Sequence, residues 1–205
     1  KDVRLRLGGR ETEYFNHDGW RCAYRRSPAS PGHERDPPII LVHPVGVGLG
    51  SWFWNKFEDE WTGGELFIVD LIGLGKSERW DTAEKGIFIP LDWVRQLESL
   101  WRMHIQRPCV VFAQGGICPV AIKLAARQAD NWDGPRAISG LILASPQPWD
   151  TLTQGLPEEE IRSSFQRLSS PLGSLLFAIV KQPFFIRFFS NTFLFAGGSA
   201  DAAWL

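Results

Sequence analysis

Four short runs of consecutive apolar residues constrain the fold of this chain more than any other feature of its sequence. They are Ile39–Val42, Leu66–Val69, Cys109–Ala113 and Leu141–Ala144. Uninterrupted apolar runs of this length are typical of strands that are buried on both faces of a parallel sheet. Segments with helical spacing of apolar residues lie between the runs. The order of elements therefore predicts an α/β domain with a mainly parallel sheet.

Helices and further strands are predicted around these runs. Ser51 is expected to cap a helix that continues to the Gly-Gly pair at residues 63–64. A second helix is predicted from Pro90 to Ile105 because its apolar residues form one stripe, and a third over Val120–Ala126. Alternation of apolar and polar residues predicts edge strands at Val3–Leu7 and Trp20–Tyr24.

Composition excludes several classes of function. The 205 residues carry a formal net charge of −1, so the chain has no global positive field for a nucleic acid partner. Cys22, Cys109 and Cys118 are odd in number and form no Cys-x-x-Cys pair, which indicates neither a disulfide framework nor a zinc site. No uncharged apolar stretch reaches the length of about 18 residues expected of a spanning helix. We expect one globular domain without a metal.

Polar residues follow three of the predicted strands. In open α/β sheets, function lies at the carboxyl ends of the strands, which here carry His43, Asp70 and Gln114. The turn Gly46-Val47-Gly48, with Asp70 about 20 residues later, imitates a dinucleotide site. Ser51 occupies the position of the third glycine in that motif, so the match is incomplete. We expect no cofactor.

Four segments resemble motifs of the α/β-hydrolase family, in the family's order. Leu41–Gly46 resembles the strand and loop that contribute to the oxyanion hole, and Asp70–Ser77 resembles the Asp-x-x-Gly-x-Gly-x-Ser turn. Val110–Gly116 occupies the place of the nucleophile elbow, and Gly140–Pro146 that of the next strand. The resemblance implies a core over residues 1–148 and a helical cap over 149–205, without the family's C-terminal strands. The His-Pro-Val-Gly form is most similar to cyanobacterial and chloroplast members.

The nucleophile of the family is not present at its expected position. The family's elbow has the form Gly-x-Ser-x-Gly, with an exposed serine on a strained turn. The five corresponding residues here are Ala113–Ile117, which places Gly115 at the nucleophile position. The family's acid and base follow the nucleophile along the chain, whereas all four histidines of this chain precede Gly115.

Two residues remain as weak catalytic candidates. His43 lies beside the predicted pocket and could act there as an acid or base. A histidine at this place more often orients the loop by hydrogen bonding. Cys118 follows the elbow, but its thiol has no basic neighbour in the sequence and is expected to be buried and inert. Asp70 is expected to stabilise a turn. The resemblance implies oxyanion donors at the backbone N–H groups of Val45 and Gly116. The expected pocket lining is His43, Pro44, Gly46, Gln114 and Gly115.

The region after the core is aromatic and basic. Residues 163–200 contain no acidic residue, and seven of the 14 Phe residues lie between positions 177 and 195. As a cap, this region would line a site for an apolar acyl or isoprenoid chain. As an interaction surface, it would suit a membrane or a partner groove. That surface is expected to include Phe184, Phe185, Arg187, Phe188 and Phe189.

Two hypotheses about function follow from the sequence. The first is a degenerate hydrolase that acts as a non-catalytic binding or structural subunit, which the resemblance associates with a chloroplast or cyanobacterial thylakoid membrane. The second is an active hydrolase or lyase on a hydrophobic ester that uses an atypical group, such as His43 with a water molecule. Oxyanion stabilisation without a nucleophile gives only residual acceleration of the reaction. The glycine at position 115 is therefore the feature that discriminates between the two hypotheses.

Overall fold

A computed structural model of the chain describes residues 10–46, 48–80, 89–130, 137–147 and 157–194. The strand expected at Val3–Leu7 lies outside the described residues. The chain forms two compact units, Lys1–Pro148 and Trp149–Leu205.

The first unit contains a six-stranded sheet. The strands are β1 (Glu13–His17), β2 (Trp20–Ser27), β3 (Ile39–Val42), β4 (Leu66–Val69), β5 (Cys109–Gln114) and β6 (Ile138–Ala144), in the order β1-β2-β4-β3-β5-β6. β2 pairs antiparallel with β1 and β4, and all other neighbours are parallel. The predicted α/β architecture is confirmed, and the runs in β3 and β4 are fully buried as predicted. The run in β6 was also predicted to be buried, but Leu141 and Ile142 are exposed because no described strand pairs with the far side of β6.

Helices cover both faces of this sheet. The helix α1 (Asn55–Glu60) follows a 3₁₀ turn at Ser51–Trp54, α2 (Pro90–Leu100) continues into a π-helical turn, and α3 (Cys118–Asp130) follows β5. Because side chains alternate along a strand, each strand contributes to two cores. Ile40 and Val42 pack in the core with α2 and α3, whereas Ile39 and Leu41 pack against Trp54 and its aromatic neighbours.

The first two helices differ from the sequence expectation in one detail each. The prediction that Ser51 caps the first helix is wrong, because Gly50 is the N-cap and the Ser51 N–H donates to the Asp70 carboxylate at 2.5 Å. The long predicted helix after Pro90 ends at Ile105 as predicted, but its last turn from Trp101 is π-helical, and the left-handed Gln106, with a φ of 53°, caps it.

The second unit is helical in its described part. It contains α4 (Glu158–Ser169), α5 (Pro171–Val180) and α6 (Pro183–Phe189), followed by a π-helical turn at Ser190–Leu194. The Ser170 hydroxyl caps α5 by accepting from the Gly173 N–H at 3.1 Å. Lys181 and Gln182 separate α5 from α6.

Candidate functional site

The residues that follow β3, β4 and β5 meet at one edge of the sheet. The register pairs Val42 with Val69 on one side and with Ala113 on the other. The next residues along these strands are His43, Asp70 and Gln114. The structure therefore brings these three positions to one level at the carboxyl edge, where the sequence places the candidate site.

The turn after β5 has elbow geometry without a nucleophile. Gly115 has a φ of 66°, in the left-handed region that disfavours residues with a side chain, and a 3₁₀ turn from Gly115 to Ile117 runs directly into α3. A Cβ atom added at Gly115 would meet no heavy atom within 4 Å. This sharp strand-to-helix turn thus has space for a side chain where the family carries its serine, and the residue there has none.

His43 is fully buried, and both of its ring nitrogens have partners. Nε2 accepts a hydrogen bond from the Leu71 N–H at 3.2 Å, so Nδ1 carries the proton and donates to the Pro44 carbonyl at 2.8 Å. Burial lowers the pKa of His43 below its ordinary value of 6.5, which favours the neutral ring. This arrangement favours a role in orienting the loop after β3 over a role as general base.

Asp70 organises the backbone around the edge. Its Oδ1 atom accepts from the Ser51 N–H, and its Oδ2 atom accepts from the Lys76 N–H at 3.1 Å. Its carbonyl oxygen accepts from the Ser77 hydroxyl at 2.6 Å and from the Gln96 side-chain amide at 2.9 Å. With its carboxylate and its carbonyl engaged in this way, Asp70 acts here as a turn acceptor.

Cys118 is fully buried in the first turn of α3. Its thiol lies 3.6 Å from the Ala113 carbonyl oxygen and 3.8 Å from the Ala144 carbonyl oxygen. Burial raises the pKa of this thiol. Because the thiolate is the nucleophilic form, the geometry favours an inert thiol.

The expected oxyanion donors lie on the two segments that the fold brings to this edge. Gly116 is the second residue of the helical turn after β5, where an N–H group has no acceptor within the helix. Val45 follows the Pro44 carbonyl that His43 fixes, and its side chain is exposed. The use of these two N–H groups as oxyanion donors stays a prediction.

The sequence reasoning missed two glutamines near the edge. Gln96 is fully buried on α2, where its side-chain amide donates to the Asp70 carbonyl and accepts from the Ile72 N–H. Gln147 places its side-chain nitrogen 3.5 Å from the position of a Cβ at Gly116. Nothing in the local pattern distinguishes Gln96 from an ordinary helix residue, whereas the position of Gln147 after β6 could have suggested proximity to the edge.

No metal site accompanies these residues within the described parts of the chain. Those parts contain no group of three His, Cys, Asp or Glu side chains that could hold a metal ion.

Sequence relatives match part of the chain. No protein-family model matches it. The 1-acylglycerol-3-phosphate O-acyltransferase ABHD5 of Rattus norvegicus is 30% identical over 124 residues, which make up 59% of this chain and 30% of the rat protein. The Mus musculus protein of the same name matches with the same identity and coverage. The chain thus spans under a third of the length of the curated relatives it matches.

Solved structures match more of the chain at lower identity. An α/β hydrolase fold protein from Burkholderia ambifaria has a TM-score of 0.57 and 21% identity, with 82% of this chain and 56% of that chain covered. The bottromycin epimerase BotH has a TM-score of 0.59 and 19% identity, with 82% and 60% covered. The order of the strands, the sharp turn after β5 and these similarities all indicate the same fold. The chain therefore has the α/β-hydrolase fold.

Proposed function

We propose that this protein is a hydrolase-fold binding module that holds an apolar acyl or isoprenoid ligand without cleaving it. The observation that carries the proposal is Gly115, which stands at the elbow with a φ of 66° and with open space around its missing side chain. Serine-type acyl transfer requires a side-chain oxygen at this point. A glycine retains the shape of the turn and removes the attacking atom.

The remaining residues of the edge suit binding. The N–H groups of Val45 and Gly116 are the proposed donors to a carbonyl oxygen of the ligand, and the bonds of His43 hold the first of these segments in place. The proposed pocket lining is His43, Pro44, Gly46, Gln114 and Gly115. The name of the mammalian relatives, an acyltransferase of an acylglycerol phosphate, supports a ligand with an acyl chain.

The proposal includes a role as a subunit in a chloroplast or cyanobacterial cell, at the thylakoid membrane. The resemblance of the loop from His43 to Gly46 supports this compartment. A fluorescent fusion of the complete protein tests it, and exclusion of the fusion from the plastid would contradict it.

An active hydrolase or lyase on a hydrophobic ester is the second candidate function. The acyltransferase name of the relatives favours it. Its catalytic group would have to be atypical, such as His43 or Cys118. Both are fully buried, and the ring nitrogens of His43 are engaged, so either group would need a rearrangement of the edge before it could react.

One pair of assays separates the two functions. We expect the protein to bind cis-parinaric acid, a fluorescent fatty acid, saturably, and to release p-nitrophenol from p-nitrophenyl dodecanoate no faster than buffer. Gly115→Leu should weaken fatty-acid binding at least about tenfold, because its side chain enters the open space at the elbow. Gly32→Leu is the matched control, since Gly32 also has a positive φ with no atom within 4 Å of its Cβ position.

Two results would overturn the proposal. Ester turnover by the natural protein that Gly115→Leu abolishes would show a catalytic site at the elbow and establish the second function. Equal fatty-acid binding by the natural protein and Gly115→Leu would show that the ligand does not occupy the edge of the sheet.

A further inference from the structure

The helix α5 is apolar on all sides and exposed along nearly its whole length. Pro171–Val180 contains no charged residue, and its only buried residue is Gly173. Leu172 is 75% exposed, Leu175 59% and Leu176 55%. A helix that is apolar all round is normally surrounded by protein or by lipid. Water is therefore an unfavourable environment for α5.

The helix α6 continues this surface. Phe184 and Phe188 are 66% and 60% exposed, and Phe189 is 43% exposed. Phe185 and Phe189 stack on one another with ring centroids 6.4 Å apart. We call Pro171–Thr192 the apolar hairpin.

The charges in and beside the hairpin are all positive. From Ser163 to Leu194 the charged residues are Arg167, Lys181 and Arg187. The Lys181 ammonium lies 5.1 Å from the centroid of the Phe177 ring, so a cation sits beside the apolar surface. Aromatic and aliphatic side chains combined with Lys and Arg are typical of helices that lie in the interface of an anionic membrane.

The length and bend of the hairpin indicate how it meets a bilayer. No single helix in the described residues is long and apolar enough to cross a membrane, and α5 together with Pro183–Thr192 reaches that length only across a bend of 72°. In a spanning arrangement, Lys181 at the bend would lie near the bilayer centre, where a charge is costly. In the interface, the same ammonium reaches the lipid headgroups.

We propose that the apolar hairpin lies in the interface of an anionic lipid membrane without spanning it. Its leucine and phenylalanine side chains enter the acyl region, and Lys181 and Arg187 contact acidic headgroups. This inference concerns the second unit alone and does not rest on the proposed loss of catalysis. Gly115→Leu should therefore retain membrane binding, which separates the failure of one proposal from the failure of the other.

Vesicle flotation of the 205-residue chain tests the surface. We expect at least about tenfold stronger binding to vesicles of phosphatidylcholine with 30% phosphatidylglycerol than to vesicles of phosphatidylcholine alone. Lys181→Glu/Arg187→Glu should remove this preference. Arg35→Glu/Lys123→Glu makes the same change of charge at exposed positions of the first unit and should leave binding unchanged.

A second pair of double variants tests the contribution of the apolar side chains to vesicle binding. Leu172→Ser/Leu176→Ser should reduce binding to the anionic vesicles at least about tenfold. Met103→Ser/Ile122→Ser changes two exposed apolar residues of the first unit and should leave binding unchanged. Equal losses in both pairs, or no flotation of the natural chain, would overturn the proposal. Self-association without flotation would assign the surface to a second copy of the chain.

A labelling experiment tests whether the hairpin spans the membrane. Ser174→Cys and Thr192→Cys place a fluorescent nitrobenzoxadiazole label near each end of the hairpin. The natural thiols are buried, and burial raises the pKa of Cys22 and Cys109 to about 12, so the introduced thiol reacts first. Dithionite added outside the vesicles should quench both labels. Protection of one label would show a spanning arrangement and contradict the interfacial one.

Discussion

The Asp70 carboxylate leaves no space for side chains at the two glycines beside it. A Cβ added at Gly75 would overlap the carboxylate, and one added at Gly50 would lie 2.9 Å from Oδ1. By contrast, a Cβ at Gly73, in the same turn, would meet no atom within 4 Å. The Asp-x-x-Gly-x-Gly-x-Ser pattern thus combines one glycine needed for its backbone conformation with one needed for close approach as well.

Gly75→Ala should destabilise the protein more than Gly73→Ala. Both residues have a positive φ, of 55° and 85°, so each substitution costs about 1–2 kcal/mol of backbone strain. Overlap with Asp70 adds about 1–3 kcal/mol for Gly75→Ala. Urea denaturation of both variants measures the difference, and equal losses would show that Asp70 is free to move.

The buried histidine His43 should make folding sensitive to acid. Because its pKa is lowered in the folded protein, the unfolded chain binds more protons between that pKa and about 6.5. The free energy of unfolding should therefore fall as the pH decreases through this window. His17 and His104 also have pKa values lowered by burial and add to the same trend.

Two substitutions isolate the contribution of His43. His43→Ala should lower the free energy of unfolding at pH 7.5 by about 1–3 kcal/mol, because the buried Leu71 N–H loses its acceptor. It should also flatten the profile between pH 7 and pH 5 by up to about 1.4 kcal/mol per pH unit. His43→Gln supplies a donor and an acceptor without titrating, so it should recover part of the stability and keep the flat profile. An unchanged slope in both variants would show that His43 is already accessible to protons.

Among the elements, continuous apolar runs were the most predictable. Ile39–Val42 and Leu66–Val69 are strands with the predicted bounds, because each is buried on both faces. β2 extends three residues beyond its predicted end, because Tyr24–Ser27 pair with β4. Arg25 in this segment is buried through bonds to the Ser51 carbonyl at 3.1 Å and to Glu58 at 3.0 Å. Such long-range partners leave no trace in the local pattern.

The strands at the two ends of the sheet were less predictable. β1 (Glu13–His17) contains three polar residues, so its composition does not indicate a strand. It forms a strand through its antiparallel pairing with β2. β6 begins at Ile138, three residues before the predicted start at Leu141. The prediction began too late because Ser139 and Gly140 interrupt the run of apolar residues. On the far side of β6 no strand pairs with it among the described residues, and Leu141 and Ile142 are exposed.

The packing of α4 against α5 depends on one glycine. A Cβ added at Gly173 would overlap the carbonyl oxygens of Arg167 and Leu168 at the end of α4. Gly173→Ala should therefore separate the two helices and increase the rate of limited proteolysis between them. Ser174→Ala, one position along the same helix, is the control and should leave the rate unchanged. Equal rates for the two variants would contradict this close approach.

In the whole molecule, large aromatic residues have two different environments. In the first unit, the Trp54 ring lies 4.7 Å from that of Phe112 and 5.8 Å from that of Phe57, within a core on one face of the sheet. In the second unit, three of the four phenylalanines of α6 are exposed, and Phe185 is half-buried. Composition alone indicates only that large apolar residues are abundant, because burial is decided by what packs on each element.

The edge of the sheet was predictable in position but not in detail. The apolar runs and their polar ends placed His43, Asp70 and Gln114 together, because parallel strands end at one edge. The engagement of both nitrogens of His43 and the space at Gly115 depend on atomic positions that a sequence does not specify. These details support the proposal that the candidate site binds a ligand without cleaving it.

The most direct test of this account is intact-mass spectrometry of the chain after exposure to a fluorophosphonate. We predict that the natural chain gains no mass, because Gly115 has no atom that can attack phosphorus. Gly115→Ser should slowly gain one phosphonyl group at position 115, since the turn and the proposed N–H donors remain. Gly32→Ser, with the same backbone requirement elsewhere, should gain none. A stoichiometric adduct on the natural chain would contradict the account and locate a nucleophile elsewhere.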